Sequence, residues 1–143
     1  MTRTARWTMI AAALLALPIG GGTALAEDAA APTLTLDLNR VDPVDGACRL
    51  TFMATNATGA DIDALTLEIV MIRTDGQVDR LTLFEFQNLP AGVPRVRQFD
   101  LGGLACGDLG DVLVNGVAAC SGRDGACGAP LSLTSRTPVG VQG

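Results

Sequence analysis

The chain contains no histidine, no lysine and no tyrosine, and four phenylalanines with one tryptophan make up its whole aromatic content. Each absence removes a class of chemistry. Without His, no unperturbed side chain changes charge near neutral pH. Without Lys there is neither a Schiff base nor an amine nucleophile. A serine or cysteine hydrolase would need an unusual base, and imidazole-based metal sites, including the usual zinc and copper ligand sets, are excluded. All basic residues are Arg, so carboxylates and guanidinium groups carry all the ionised chemistry. No catalytic residue, cofactor or metal ion is expected, and the chain reads as a non-enzyme.

What is present begins with a leader. Arg3 and Arg6 precede an apolar run from Met9 to Ile19, and Ala24-Leu25-Ala26 stands before Glu27. A positive start, a short apolar core and a small-x-small site are the parts of a cleavable secretory signal, assigned to 1-26. The run is short for a membrane span and is broken by Pro18 and Gly20 to Gly22, so the mature chain is not expected to be membrane-embedded. No Cys follows the run to carry a lipid. Thr4 and Ala5 separate the two arginines, which favours general secretion over the twin-arginine route.

Cleavage after Ala26 would leave 117 residues, the size of one domain, with eight basic against 15 acidic residues and a formal charge of −7. Nucleic acid and anionic membrane surfaces need a positive footprint and are poor partners for such a chain. Its four cysteines, in an exported chain, imply two disulfides. Periplasmic or secreted residence follows.

Residues 27-32 form a flexible lead-in, and a single β-sandwich domain is expected over 33-143. Thr33 to Asn39 alternates apolar and polar residues, and Asp42-Pro43-Val44-Asp45-Gly46 reads as a turn. Cys48, Leu50, Phe52 and Ala54 then fall on one face of a second strand, with Arg49, Thr51 and Thr55 on the other. Asn56 to Asp61 is a turn, and Ile62 to Arg73 the most buried strand. Thr74 to Gln77 leads into Val78 to Phe86, where Leu81, Leu83 and Glu85 oppose Thr82, Phe84 and Phe86. Pro94 to Leu101, Asp111 to Cys120 and Leu131 to Arg136 complete seven strands, the sixth being either one strand or a pair split by a hairpin tip at Asn115-Gly116, with a tail from Pro138 that either extends that edge or frays. The spacing predicts an all-β, immunoglobulin-like, seven-strand antiparallel sandwich.

Spacing alone allows three disulfide pairings. In a Greek-key sandwich the start of the second strand and the end of the fifth lie at the same end of neighbouring strands, which places Cys48 beside Cys106. Cys120 lies at the other end and closes a short loop with Cys127. Six intervening residues suit a structural loop better than a redox pair.

Asn56-Ala57-Thr58 with Ile62, Asp75-Gly76-Gln77-Val78, and Leu89-Pro90-Ala91-Gly92 followed by Phe99 resemble, in order and spacing, the FxLYD-like envelope β-sandwich domains of bacteria. Ile69-Val70-Met71-Ile72 stands where their aromatic signature would be. Taken whole, through Arg95 to Leu101 and Asn115 to Cys120, the chain resembles uncharacterised exported bacterial proteins, some named only for an export signal. That resemblance implies periplasmic residence and transfers no catalytic residue.

Arg95 and Arg97 alternate on one strand. They form either a guanidinium pair for an anion or partner, or ion pairs with facing acids such as Glu85 or Asp79. Asp42 with Asp45, Asp61 with Asp63, and Asp108 with Asp111 sit at turns, where capping competes with calcium binding, and none has EF-hand spacing. Glu85 is either a carboxylate in a pocket or a sheet-surface residue, and Asn56-Ala57-Thr58 is turn chemistry that happens to match a glycosylation sequon. The expected function is a non-enzymatic periplasmic interaction or structural module, its partner another envelope protein. The alternative is a ligand-binding or enzyme-accessory domain using loop and edge Arg and carboxylate side chains.

Overall fold

A computed structural model describes residues 30-123 and 125-143. The leader assigned to 1-26, and residues 27-29 of the lead-in, lie outside the described residues. Eight strands follow in order: β1 (Leu34–Val44), β2 (Ala47–Asn56), β3 (Ile62–Arg73), β4 (Val78–Leu89), β5 (Arg95–Gly102), β6 (Leu109–Gly122), β7 (Leu131–Ser135) and β8 (Gly140–Gln142). They form two four-stranded sheets, ordered β5-β2-β1-β7 and β4-β3-β6-β8, packed as a β-sandwich.

Alternation decides which side of each strand faces the core. In β2 the side chains of Cys48, Leu50, Phe52 and Ala54 are buried, and in β3 those of Leu65, Leu67, Ile69 and Met71 are. Fully burying side chains of this size stabilises by about 1.5–3 kcal/mol each. All four phenylalanines meet between the sheets. The rings of Phe84 and Phe99 stack at 3.9 Å, and Phe52 lies edge-on to both and to Phe86. Such pairs add stability beyond the area they bury.

Both disulfides join the expected partners, Cys48 to Cys106 and Cys120 to Cys127. The register explains the first: Cys48 stands opposite Leu101 on β5, so a short crossover brings Cys106 back onto it.

Three expectations need correction. Asp42-Pro43 is not part of the turn. β1 runs on to Val44, with Pro43 opposite Cys48, and only Asp45-Gly46 turns the chain. Beyond Leu38, β1 has no β7 neighbour, so Pro43 lies on an edge that tolerates a missing donor. β4 continues past Phe86 to Leu89 by taking Gln87 at φ 58°, an outlier that lets Phe86 and Leu89 both point inward. The strands number eight, and two pairs are parallel rather than antiparallel: β7 lies along β1, and the tail crosses to the other sheet, where β8 lies along β6.

Candidate functional site

Arg95 and Arg97 share the phase of Phe99 and Leu101 on β5 and stand opposite Ala54 and Phe52 of β2, so they leave the strand on its core side. Arg97 crosses to the other sheet. Its Nε donates to the Phe86 carbonyl at 2.6 Å and its Nη2 to the Asn88 carbonyl at 3.0 Å, both on the edge strand β4. Neither Glu85 nor Asp79 receives it. Arg95 has a single contact, to the Pro94 carbonyl at 3.4 Å. The pair is therefore divided: Arg97 fastens two sheet edges, whereas Arg95 is half-buried and hydrogen-bonds only to its own chain neighbour.

Other polar groups also hold the sandwich together. Arg80 lies at the opposite end of β4, donating to the Gly102 carbonyl at 2.9 Å and, with Arg73, to Asp79. The hydrogen bond from Arg80, with the one from Arg73 and the charge of both, outweighs burial and holds the Asp79 carboxyl below its ordinary range. Burial opposes ionisation of Asp37, yet Arg136 and Thr134, with Asn39, reverse it and leave that carboxyl lowered too. Asp100, held by two bonds from Arg49, is lowered by the same cause.

Asn56 gave no signal beyond turn chemistry in the sequence, yet its side chain makes four hydrogen bonds. It is completely buried. Its amide donates to the carbonyls of Ala60 at 2.8 Å and Leu89 at 2.7 Å, while its oxygen accepts from the Thr58 backbone at 3.0 Å and hydroxyl at 2.7 Å. With both amide protons engaged, Asn56 presents nothing for glycosylation. The one available signal was its phase, since Asn56 continues the buried series Leu50, Phe52 and Ala54.

The acidic pairs do not converge. Asp42 accepts from Arg40 at 2.9 Å, Asp61 from the Ala91 amide at 2.8 Å, and among the described residues no three Cys, Asp or Glu groups cluster as metal ligands. No helix among them is long and apolar enough to cross a membrane.

The outer face of the β4-β3-β6 sheet is different in kind. Thr82, Phe84 and Phe86 take the inner side of β4, so Leu81, Leu83 and Glu85 take the outer. Val78, Leu81 and Leu83 remain 65%, 55% and 53% exposed. The register sets them in rows: Val78 beside Ile72, Leu81 beside Val70, and Leu113 on the far side of Val70. Leu83 stands beside Glu68, and Ile72 beside Asp111. Val78, Leu81 and Leu83 are exposed, Ile72 and Leu113 half-buried and Val70 buried among them, and this aliphatic group is bordered by Glu68, Glu85 and Asp111. Adjacent exposed aliphatics are more often part of a binding surface than singly scattered ones are.

A second apolar feature lies between β6 and β7. Beyond Leu113, β6 has no neighbour on its β8 side, and a groove of about 390 Å³ lined by Val114, Val117, Leu131, Leu133 and Val141 opens there. Register shifts around Asn115 and Ala118 break the regular hydrogen-bonding phase of that edge, which disfavours strand addition. The sheet face is the stronger candidate.

Compared with known proteins, the chain matches no family model, no curated protein and no solved structure.

Proposed function

We propose that this protein is a non-enzymatic interaction module of the bacterial envelope, working in the periplasm or outside the cell. The observation that carries this reading is the exposed aliphatic face of β4, where Val78, Leu81 and Leu83 stay more than half exposed on a sheet whose opposite side is packed. A sandwich gains nothing in stability from such side chains in water, whereas a docking surface does gain from them. Two disulfides fit an oxidising compartment, as does the secretory leader. The likeness to FxLYD-like envelope domains and the immunoglobulin-like assignment belong to the same reading. The order of the first six strands supports that assignment, with β5 returning beside β2 and β6 beside β3, while the parallel β7 and β8 depart from it.

A ligand site on Arg95 and Arg97 has less support, because Arg97 is committed to the β4 carbonyls. Affinity capture from periplasmic extract with mass spectrometry separates the two readings. A reproducible protein partner is expected; a melting-point rise with a small anion and no captured partner would replace the module with the ligand-binding alternative.

A further inference from the structure

We infer that the outer face of the β4-β3-β6 sheet docks a protein surface with an apolar centre and a basic border. The inference rests on the module reading above and specifies where and with what kind of surface the module engages. Its exposed part is Val78, Leu81 and Leu83, with Ile72 and Leu113 half-buried beside them and Val70 buried between Leu81 and Leu113. The border is acidic on both sides: Glu68 and Glu85 beyond Leu83, and Asp111 beside Ile72. These three carboxylates have no guanidinium partner among the described residues; Glu68 instead accepts from the Asn115 amide.

The arginines within these strands do not compensate the border. β3, β4, β6 and β8 contain two, Arg73 and Arg80, and both are held on Asp79. The face is therefore apolar in the middle and uncompensated negative at its margins. A second copy of this chain would bring the same three carboxylates against them, and like charges at an interface are strongly unfavourable. An anionic lipid surface fails for the same reason. Arginine or lysine around an apolar contact meets both requirements, and the border then sets encounter rate and salt dependence while the centre supplies the desolvated contact.

The test uses the full disulfide-bonded chain and two synthetic peptides of equal length, one alternating Leu with Lys and the other Leu with Glu. Amide chemical-shift titration should show the Lys peptide binding, with shifts confined to β3, β4 and β6, and the Glu peptide not binding. Affinity should fall at least tenfold between 20 and 500 mM salt, and at least tenfold in L81S/L83S. The triple variant E68Q/E85Q/D111N should flatten the salt dependence. Because Leu81 and Leu83 are exposed, L81S/L83S should fold, which its circular dichroism checks. Equal binding of both peptides, shifts elsewhere, or unchanged affinity in L81S/L83S would overturn the inference. So would a dimer seen by sedimentation that L81S/L83S abolishes, since the occupant would then be a second copy. A partner captured equally well by wild type and L81S/L83S would overturn this face alone and leave the module reading standing.

Discussion

Replacing Asn56 with aspartate changes one amide nitrogen to oxygen and almost no volume, so it tests the hydrogen-bond hub without opening a cavity. The native amide donates to the carbonyls of Ala60 and Leu89 from a completely buried position. An ionised Asp would point an anionic oxygen at those same carbonyls. Its alternative is to stay protonated and donate one bond. Keeping a carboxyl neutral at pH 7, three units above its ordinary value near 4, costs about 4 kcal/mol at about 1.4 kcal/mol per unit, and the lost second bond adds about 1. N56D should therefore lose about 5 kcal/mol at pH 7, comparable with the whole stability of many domains. The folded state raises the pKa of the new carboxyl, so the penalty shrinks as pH falls and should be about 1–2 kcal/mol near pH 4. N56A serves as the control, with a loss of about 3 kcal/mol that does not vary with pH. Urea unfolding of the disulfide-intact protein from pH 7 to 4 measures both. A loss in N56D below 1 kcal/mol at pH 7, or a gap between N56D and wild type that does not change with pH, would refute the hub.

Removing the edge clamp with R97M should cost about 1–2 kcal/mol and lower the melting midpoint by about 5 °C, and R97K should not restore it because an ammonium lacks the planar fork. An unchanged midpoint would show that the guanidinium does not hold β4. Calorimetry of C48A/C106A should show a loss of roughly 4 kcal/mol against roughly 2 for C120A/C127A, since the first bond spans 58 residues and the second 7; equal losses would refute the loop-length account. Asp37, Asp79 and Asp100 are all held below the ordinary carboxylate range. The unfolded chain therefore takes up protons first on acidification. Stability should be fully present at neutral pH and fall below about pH 4, and D37N should reduce that fall. A midpoint that is flat down to pH 2 in wild type would contradict these ion pairs.

The strands that read most clearly in the sequence were those with one apolar side. β2 is such a strand, and its Cys48 side is the buried one. β4 was harder because both sides are apolar. Alternation separated Leu81 and Leu83 from Phe84 and Phe86, but only the meeting of Phe52, Phe84, Phe86 and Phe99 between the sheets determines which side faces inward. The exposed aliphatic face of β4 was illegible for that reason. The roles of Arg95 and Arg97 depend on which elements lie across from an edge strand. Their phase with Phe99 and Leu101 was the available clue, since a long side chain on the core side of an edge reaches toward the opposite sheet. β8 is three residues long, and its partner on β6 is set by tertiary contacts, so local pattern could not assign it to a sheet.

The ladder between β1 and β7 bears on when the fold can close. It joins the first strand to the seventh, and the Thr134 to Asp37 hydrogen bond across it spans 97 residues. Closing so long a loop has an entropic cost that only the complete sandwich offsets, so the ladder forms late. A chain delivered through a membrane from its N-terminus would present β1 first and wait for β7 before sealing that side. Until β7 is present, β1 has β2 as its one described sheet neighbour, and that side of the sandwich stays open.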